Sequence, residues 1–211
     1  VESYHTLKAG SSATGEFVDR KSRFLAEIRP VGSEAEAQAF IAEVKGRYYD
    51  ARHHVPAWIF ADGRKRCSDD GEPQRTAGMP TLEVLEGADL RDVCCVVTRY
   101  FGGTLLGPGG LVRAYAQATQ AALADAEERS LIVEMTLVVP VVIGLPYSAY
   151  DRIVRMLQDF HGTVKDTVFA EDVQITAFFR SGDELPFMEA LEEYANGQKL
   201  ARALEPRFDA L

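Results

Sequence analysis

Along the chain, alternating or continuous apolar runs are separated by clusters of glycine, proline and charge, and their spacing sorts strands from helices. Arg23–Arg29 alternates and predicts a strand, paired with the preceding Gly15–Arg20. Ser33 opens a helix through a capping box with Glu36, and Ala35, Ala39, Phe40, Val44 and Tyr48 mark its apolar side. Ala57–Phe60 predicts a short strand closed by the Asp62-Gly63 turn. A polar loop follows from Arg64 to Gly78, then a short helix over Pro80–Leu85, with proline tolerated in its first turn. The unbroken apolar run Val93–Val97 predicts a buried strand reaching Tyr100, and Leu111–Ala126 has helical spacing.

The pattern after Ala126 is regular. Leu137–Ile143 reads as a strand, and Pro146–Phe160 as a helix with Tyr150, Ile153, Val154 and Leu157 on one side. His161-Gly162 stops that helix, with Gly162 as the expected left-handed cap. Thr163–Phe169 and Val173–Phe179 alternate as strands, Asp183–Tyr194 reads as a helix stopped by Asn196-Gly197, and Lys199–Phe208 as a last strand. This βαββαβ order is the ferredoxin-like arrangement, which hosts many functions and fixes none. The expected fold class is α+β, with domains at 1–134 and 135–211 and a boundary near Glu134.

Between the Val93–Tyr100 strand and the following helix lie Gly102, Gly103, Gly107, Gly109 and Gly110, flanked by Arg99 and Arg113. Glycines let a ligand approach the backbone closely, and a helix start offers unpaired N–H groups and a positive dipole end. No acidic residue precedes Asp125 in that helix, so negative charge is expected from elsewhere: a phosphate, a carboxylate or a distant acidic side chain. The spacing is neither G-x-G-x-x-G nor G-x-x-x-x-G-K-[ST], and nucleotide binding is not predicted from it. Glycines serving backbone geometry alone explain the local pattern equally well.

Composition narrows the function classes. The 211 residues are 46% hydrophobic, enough for packed cores, and no apolar stretch is long enough to span a bilayer. Val1–Lys8 lacks the apolar core of a signal peptide. Cys94 and Cys95 are adjacent in a strand and point to opposite faces; with Cys67 they read as reduced thiols of a cytoplasmic protein. A net charge of −9 argues against a broad nucleic-acid coat. A local basic patch from Arg64-Lys65-Arg66, Arg75, Arg99 and Arg113 remains open.

The polar loop concentrates Asp69, Asp70 and Glu72, and His53 and His54 stand upstream. Carboxylates and imidazoles together suit a divalent metal or acid–base chemistry. Adjacent histidines in an extended segment face opposite ways, however, and Asp-Asp-Gly-Glu lacks the EF-hand spacing. A turn with an aspartate cap, or acids pairing with Arg75, Arg99 or Arg113, accounts for the same residues. No metal, cofactor or catalytic residue is therefore assigned. G-x-S-x-G is absent, and nothing identifies a base for Cys67. Trp58 and Phe101 read as core; Tyr100 and Phe101 are also the aromatics placed to stack on a base.

Several separated motifs resemble the IMPACT family, whose bacterial members are often called YigZ-like. They are Arg47-Tyr-Tyr-Asp-Ala-Arg-His-His54, Ser68-Asp-Asp-Gly-Glu-Pro-Gln-Arg-Thr-Ala-Gly-Met-Pro80, Val96-Val-Thr-Arg-Tyr-Phe-Gly-Gly103 and Leu106-Gly-Pro-Gly-Gly-Leu-Val-Arg-Ala-Tyr115. The resemblance covers roughly residues 12–126, and the remainder looks like the small domain appended in bacterial members. It implies a two-layer α/β N-terminal domain of the ribosomal-protein domain-2 type and a ferredoxin-like C-terminal domain. That pair is similar to domains IV and V of elongation factor G. Eukaryotic relatives regulate translation through an additional N-terminal domain, for which no room is expected before Ser12.

Three functions stay open on these grounds. The leading expectation is a cytoplasmic, translation-linked binding protein, not an enzyme, that contacts RNA, the ribosome or a translation-associated protein. Arg75, Arg99, Arg113 and the five glycines would bind phosphate, supported by His53 or His54. The alternatives are a metal- or water-dependent hydrolase using His53, His54, Asp69, Asp70 and Glu72, and a binder of small anions at the glycine turn.

Overall fold

The computed structural model describes residues 3–211, which form two compact units, one of Tyr4–Val133 and one of Glu134–Leu211 with Ser3. The first unit is built on an antiparallel sheet in the order β2-β3-β6-β4-β5, from β2 (Ala13–Asp19), β3 (Ser22–Pro30), β4 (His53–Ile59), β5 (Lys65–Cys67) and β6 (Val93–Tyr100). A further strand, β1 (Ser3–Leu7), precedes them, and its His5 carbonyl accepts from the Arg91 N–H at 2.8 Å.

β6 is central and buried along almost its whole length, as its unbroken apolar run requires. Its odd-numbered residues Val93, Cys95 and Val97 join the core beneath α2 (Gly78–Gly87) and α3 (Gly107–Glu128). Cys94 and Val96 face the other way, into a smaller cluster under α1 (Glu34–Arg47) with Trp58 and Phe60. The Ser33 hydroxyl caps α1 by accepting from the Glu36 N–H at 3.2 Å, while the Glu36 carboxylate accepts from Gly32 N–H at 2.9 Å.

The second unit consists of β7 (Ile132–Leu145), α4 (Tyr150–Asp159), β8 (Thr163–Phe169), β9 (Val173–Arg180), α5 (Glu184–Tyr194), β10 (Ala201–Ala203) and β11 (Arg207–Asp209). β9 lies between β7 and β8, and β10 and β11 pair with β7. This is the antiparallel ferredoxin-like order, with Ile153, Leu157, Phe187 and Leu191 of the two helices packed on one face. The protein is thus α+β, with an α/β N-terminal unit and a β-rich C-terminal one.

Several elements differ in extent from the sequence expectation. The last strand is broken into β10 and β11 around Leu204-Glu-Pro206, where proline has no N–H to offer a ladder. One turn of 3-10 helix at Tyr147–Ala149 precedes α4. The left-handed residue after α4 is His161 (φ 59) rather than Gly162. Gly162 answers to packing instead: a Cβ there would stand 2.7 Å from the Phe179 ring. β4 begins four residues before Ala57, and α3 begins at Gly107 rather than Leu111.

Candidate functional site

The site begins with strand register. Phe24 on β3 and His53 on β4 both stand opposite Arg99 on β6, which places the three side chains in one row on the α3 side of the sheet. At this end of the sheet α3 begins. Its Tyr115 packs edge-on against Phe24, with ring centroids 5.1 Å apart. The Asp69–Thr76 part of the polar loop brings Glu72 to the same place.

Glu72 and Arg99 form a buried ion pair of 2.7 Å, with side chains 3% and 7% exposed. The Tyr115 hydroxyl donates to the same Glu72 Oε1 at 2.8 Å. Burial of the phenol, with Glu72 beside it, raises the Tyr115 pKa far above its ordinary value. The guanidinium carbon of Arg99 lies 5.4 Å from the Phe24 ring centroid and 5.7 Å from that of Phe101. Among the described residues, Arg99 Nε is one of two buried side-chain N or O atoms without a hydrogen-bond partner; the other is Thr98 Oγ1.

Above Arg99 opens a cleft of about 440 Å³, lined by Arg52, His53, Glu72, Pro73, Arg99, Phe101 and residues from Leu105 to Pro108, with Leu111 behind them. Phe101 is 52% and Leu105 80% exposed. Two left-handed glycines, Gly103 (φ 87) and Gly107 (φ 70), turn the chain from β6 into α3. Pro108 occupies the first turn, where its missing N–H costs nothing. That turn contains no acidic residue and Leu106 gives it no side-chain cap, so its first N–H groups retain their positive field.

The polar loop is held by its own acids. Asp69 Oδ1 accepts from Ala77 and Gly78 N–H at 3.1 and 2.9 Å, and Oδ2 from Arg75 N–H at 2.8 Å. Burial pushes the Asp69 carboxyl up, but these three donors prevail and hold it below its usual value. Asp70 Oδ2 accepts from His54 N–H at 2.6 Å, and its carbonyl lies 2.8 Å from His53 Nδ1. His54 turns to the opposite face, with Nε2 2.9 Å from the Tyr48 carbonyl. Among the described residues, no group of three or more His, Cys, Asp or Glu is arranged to hold a metal ion.

The structure therefore brings His53, Glu72, Arg99 and Gly107 together around one cleft and separates them from other residues singled out in the sequence. Arg113 is 67% exposed and pairs with Asp19 at 3.6 Å, outside the cleft lining. Arg75 meets Asp69 through its backbone, and its exposed side chain is also outside the lining. Gly109 and Gly110 belong to the first helical turn rather than to a loop. Gly102 serves close packing, since a Cβ would stand 2.1 Å from the Lys21 carbonyl carbon. Phe101, expected in the core, is half-exposed. Arg52, exposed at the start of β4, was not singled out; only the β4–β6 register beside it places it at the cleft.

A larger cleft of about 650 Å³ lies beside α1, over the part of β2 and β3 that this helix leaves open. Its charges are closed on one another. Glu27 accepts from Ser12 at 3.0 Å, Arg29 at 2.9 Å and Arg47 at 2.7 Å, and Glu43 pairs with both arginines. The cleft at α3 is smaller but carries the incompletely satisfied cation.

Fold and site together define a two-domain α+β protein whose N-terminal sheet ends in a cation-floored cleft at a helix start. The Impact N-terminal domain matches residues 20–123, and a domain of unknown function (DUF1949) matches residues 143–198. The chain belongs to the IMPACT family. It is 34% identical over 200 residues to the IMPACT family member YvyE of Bacillus subtilis, covering 94% of this chain and 89% of that one. The IMPACT family member YigZ of Escherichia coli is 31% identical over 192 residues, covering 88% and 91%. Protein IMPACT of Bos taurus is 34% identical over 97 residues, covering 43% of this chain and 30% of that one. A solved structure described as a crystal structure of an hypothetical protein superimposes with a TM-score of 0.62 at 28% identity, covering 100% of this chain and 98% of that one.

Proposed function

We propose that the protein is a cytoplasmic, translation-linked binding protein whose α3 cleft contacts RNA phosphate, free or on the ribosome. The observation that carries this is the Arg99 guanidinium. It is buried in the cleft lining with its Nε lacking an acceptor, near a helix start that has no acidic residue in its first turn. A phosphate in the cleft supplies the negative charge that this turn lacks. The exposed Arg52 adds a cation at the rim, and Gly107 allows close approach to the backbone. Family membership supports the translation-related context in general terms. The acids and histidines support loop architecture more than hydrolysis, because Asp69, Asp70, His53 and His54 are engaged with the backbone.

The test is crosslinking and recovery of RNA and ribosomal particles bound to the full chain in cells, beside Arg52→Ala. Among the described residues Arg52 makes no hydrogen bond or ion pair and its side chain is exposed, so its loss leaves the fold intact. RNA recovery that falls in Arg52→Ala supports the reading. Equal recovery from both proteins, or none from either, contradicts it.

A further inference from the structure

The walls of the α3 cleft specify more than phosphate. Beside the cationic groups stand an exposed aromatic ring, Phe101, and the apolar surfaces of Leu105, Leu106 and Pro73. Phosphate alone gains nothing from these surfaces, and exposing them to water is unfavourable. Resting on the RNA reading of this site, we infer that the cleft receives a single unpaired nucleotide of single-stranded RNA. Its base stacks on Phe101, and its phosphate meets Arg52 and the amides at the start of α3.

Three observations converge on that ligand. First, a space of about 440 Å³ is on the scale of one nucleotide and excludes a duplex, whose bases are covered above and below. Second, Arg99 stands 5.7 Å from the centroid of the Phe101 ring and so helps to hold that ring in place at the cleft. Third, the Arg99 guanidinium, 7% exposed and paired with Glu72, lies at the cleft floor, so the polar edge of a bound base meets a charged neighbour there. A net charge of −9 fits recognition through a few local contacts and not through a broad cationic face. Stacking requires a π-face, which every base has, so the site tolerates different sequences but requires an unpaired base.

The experiment is fluorescence anisotropy of a labelled single-stranded oligouridylate and of a duplex of the same length, titrated with the full chain at several salt concentrations. Wild-type protein is expected to bind the single strand at least tenfold more tightly than the duplex. Phe101→Ala should weaken single-strand binding roughly tenfold without changing the salt slope. Arg52→Ala should weaken it and reduce the log–log slope by about 0.7, one phosphate contact on a single strand. Equal affinity for duplex and single strand, or an unaltered Phe101→Ala, overturns the unpaired-nucleotide inference; a persistent effect of Arg52→Ala would then leave RNA contact at the cleft standing. Binding of neither form overturns both.

Discussion

Replacing Arg99 with methionine removes the charge of the buried pair while keeping much of the side-chain volume. Two unit charges about 4 Å apart at an effective dielectric near 20 attract by about 4 kcal/mol. Removing one partner of a buried pair costs about 3–5 kcal/mol, because the remaining charge stays desolvated. Glu72, 3% exposed in the pair, keeps the Tyr115 hydroxyl but loses the cation paired with it. The expected loss is therefore about 3 kcal/mol or more. Urea unfolding followed by fluorescence reads it directly, since Trp58 is the single tryptophan and is buried in the N-terminal unit. Glu72→Gln should also destabilise, and the double variant should lose at least about 2 kcal/mol less than the sum of the two. A loss below about 1 kcal/mol in Arg99→Met, or additive effects in the double variant, refutes the pairing as an energetic unit.

Asp69→Asn should cost about 1–2 kcal/mol at pH 7 by weakening three backbone hydrogen bonds. Because the folded-state pKa of Asp69 is depressed, this stabilisation is present above its ordinary value of 3.8 and is lost as pH falls through the lower folded value. Denaturation midpoints of the two proteins should therefore converge below about pH 3.8, and a constant gap would contradict the assignment. Gly102→Ala should destabilise strongly, whereas Gly109→Ala, whose added Cβ meets nothing within 4 Å, should leave the melting temperature unchanged or raised. Equal melting temperatures would contradict the packing role of Gly102. Burial raises the Cys95 thiol to about 12 and also raises those of Cys94 and Cys67, so a thiol reagent at pH 8 should label the native protein slowly and all three sites quickly after unfolding. Rapid labelling of the native chain at Cys94 or Cys95 would contradict this.

What could be read in the sequence and what could not divide along local and non-local physics. β6 was legible to the residue because an unbroken apolar run bounded by Asp92 and the glycines has one reading. The capping box of α1 was legible because its partners are three residues apart. The start of α3 was missed: glycines at positions 107, 109 and 110 lower helix propensity, yet Pro108 and packing of Leu111 and Tyr115 into the core hold the turn helical. Arg99 was recognised as important, but its bond to Glu72 spans 27 residues and depends on how the polar loop folds back, which no periodicity reports. The separation of Arg113 from Arg99 has the same origin. Their sequence neighbourhood suggested a shared site, while the helix turns Arg113 towards Asp19 on β2. Arg52 entered only once the register of β4 against β6 was known.

The most direct test of the central claim is a hydrogen-exchange footprint of the full chain with and without saturating single-stranded RNA. RNA at the α3 cleft should slow exchange at the start of α3, from Gly107 to Gly110, and along Phe101–Leu106, with little change over the α1-side residues Arg29 and Val44–Tyr48. Protection confined to other surfaces, with the start of α3 exchanging at its free rate, would contradict it.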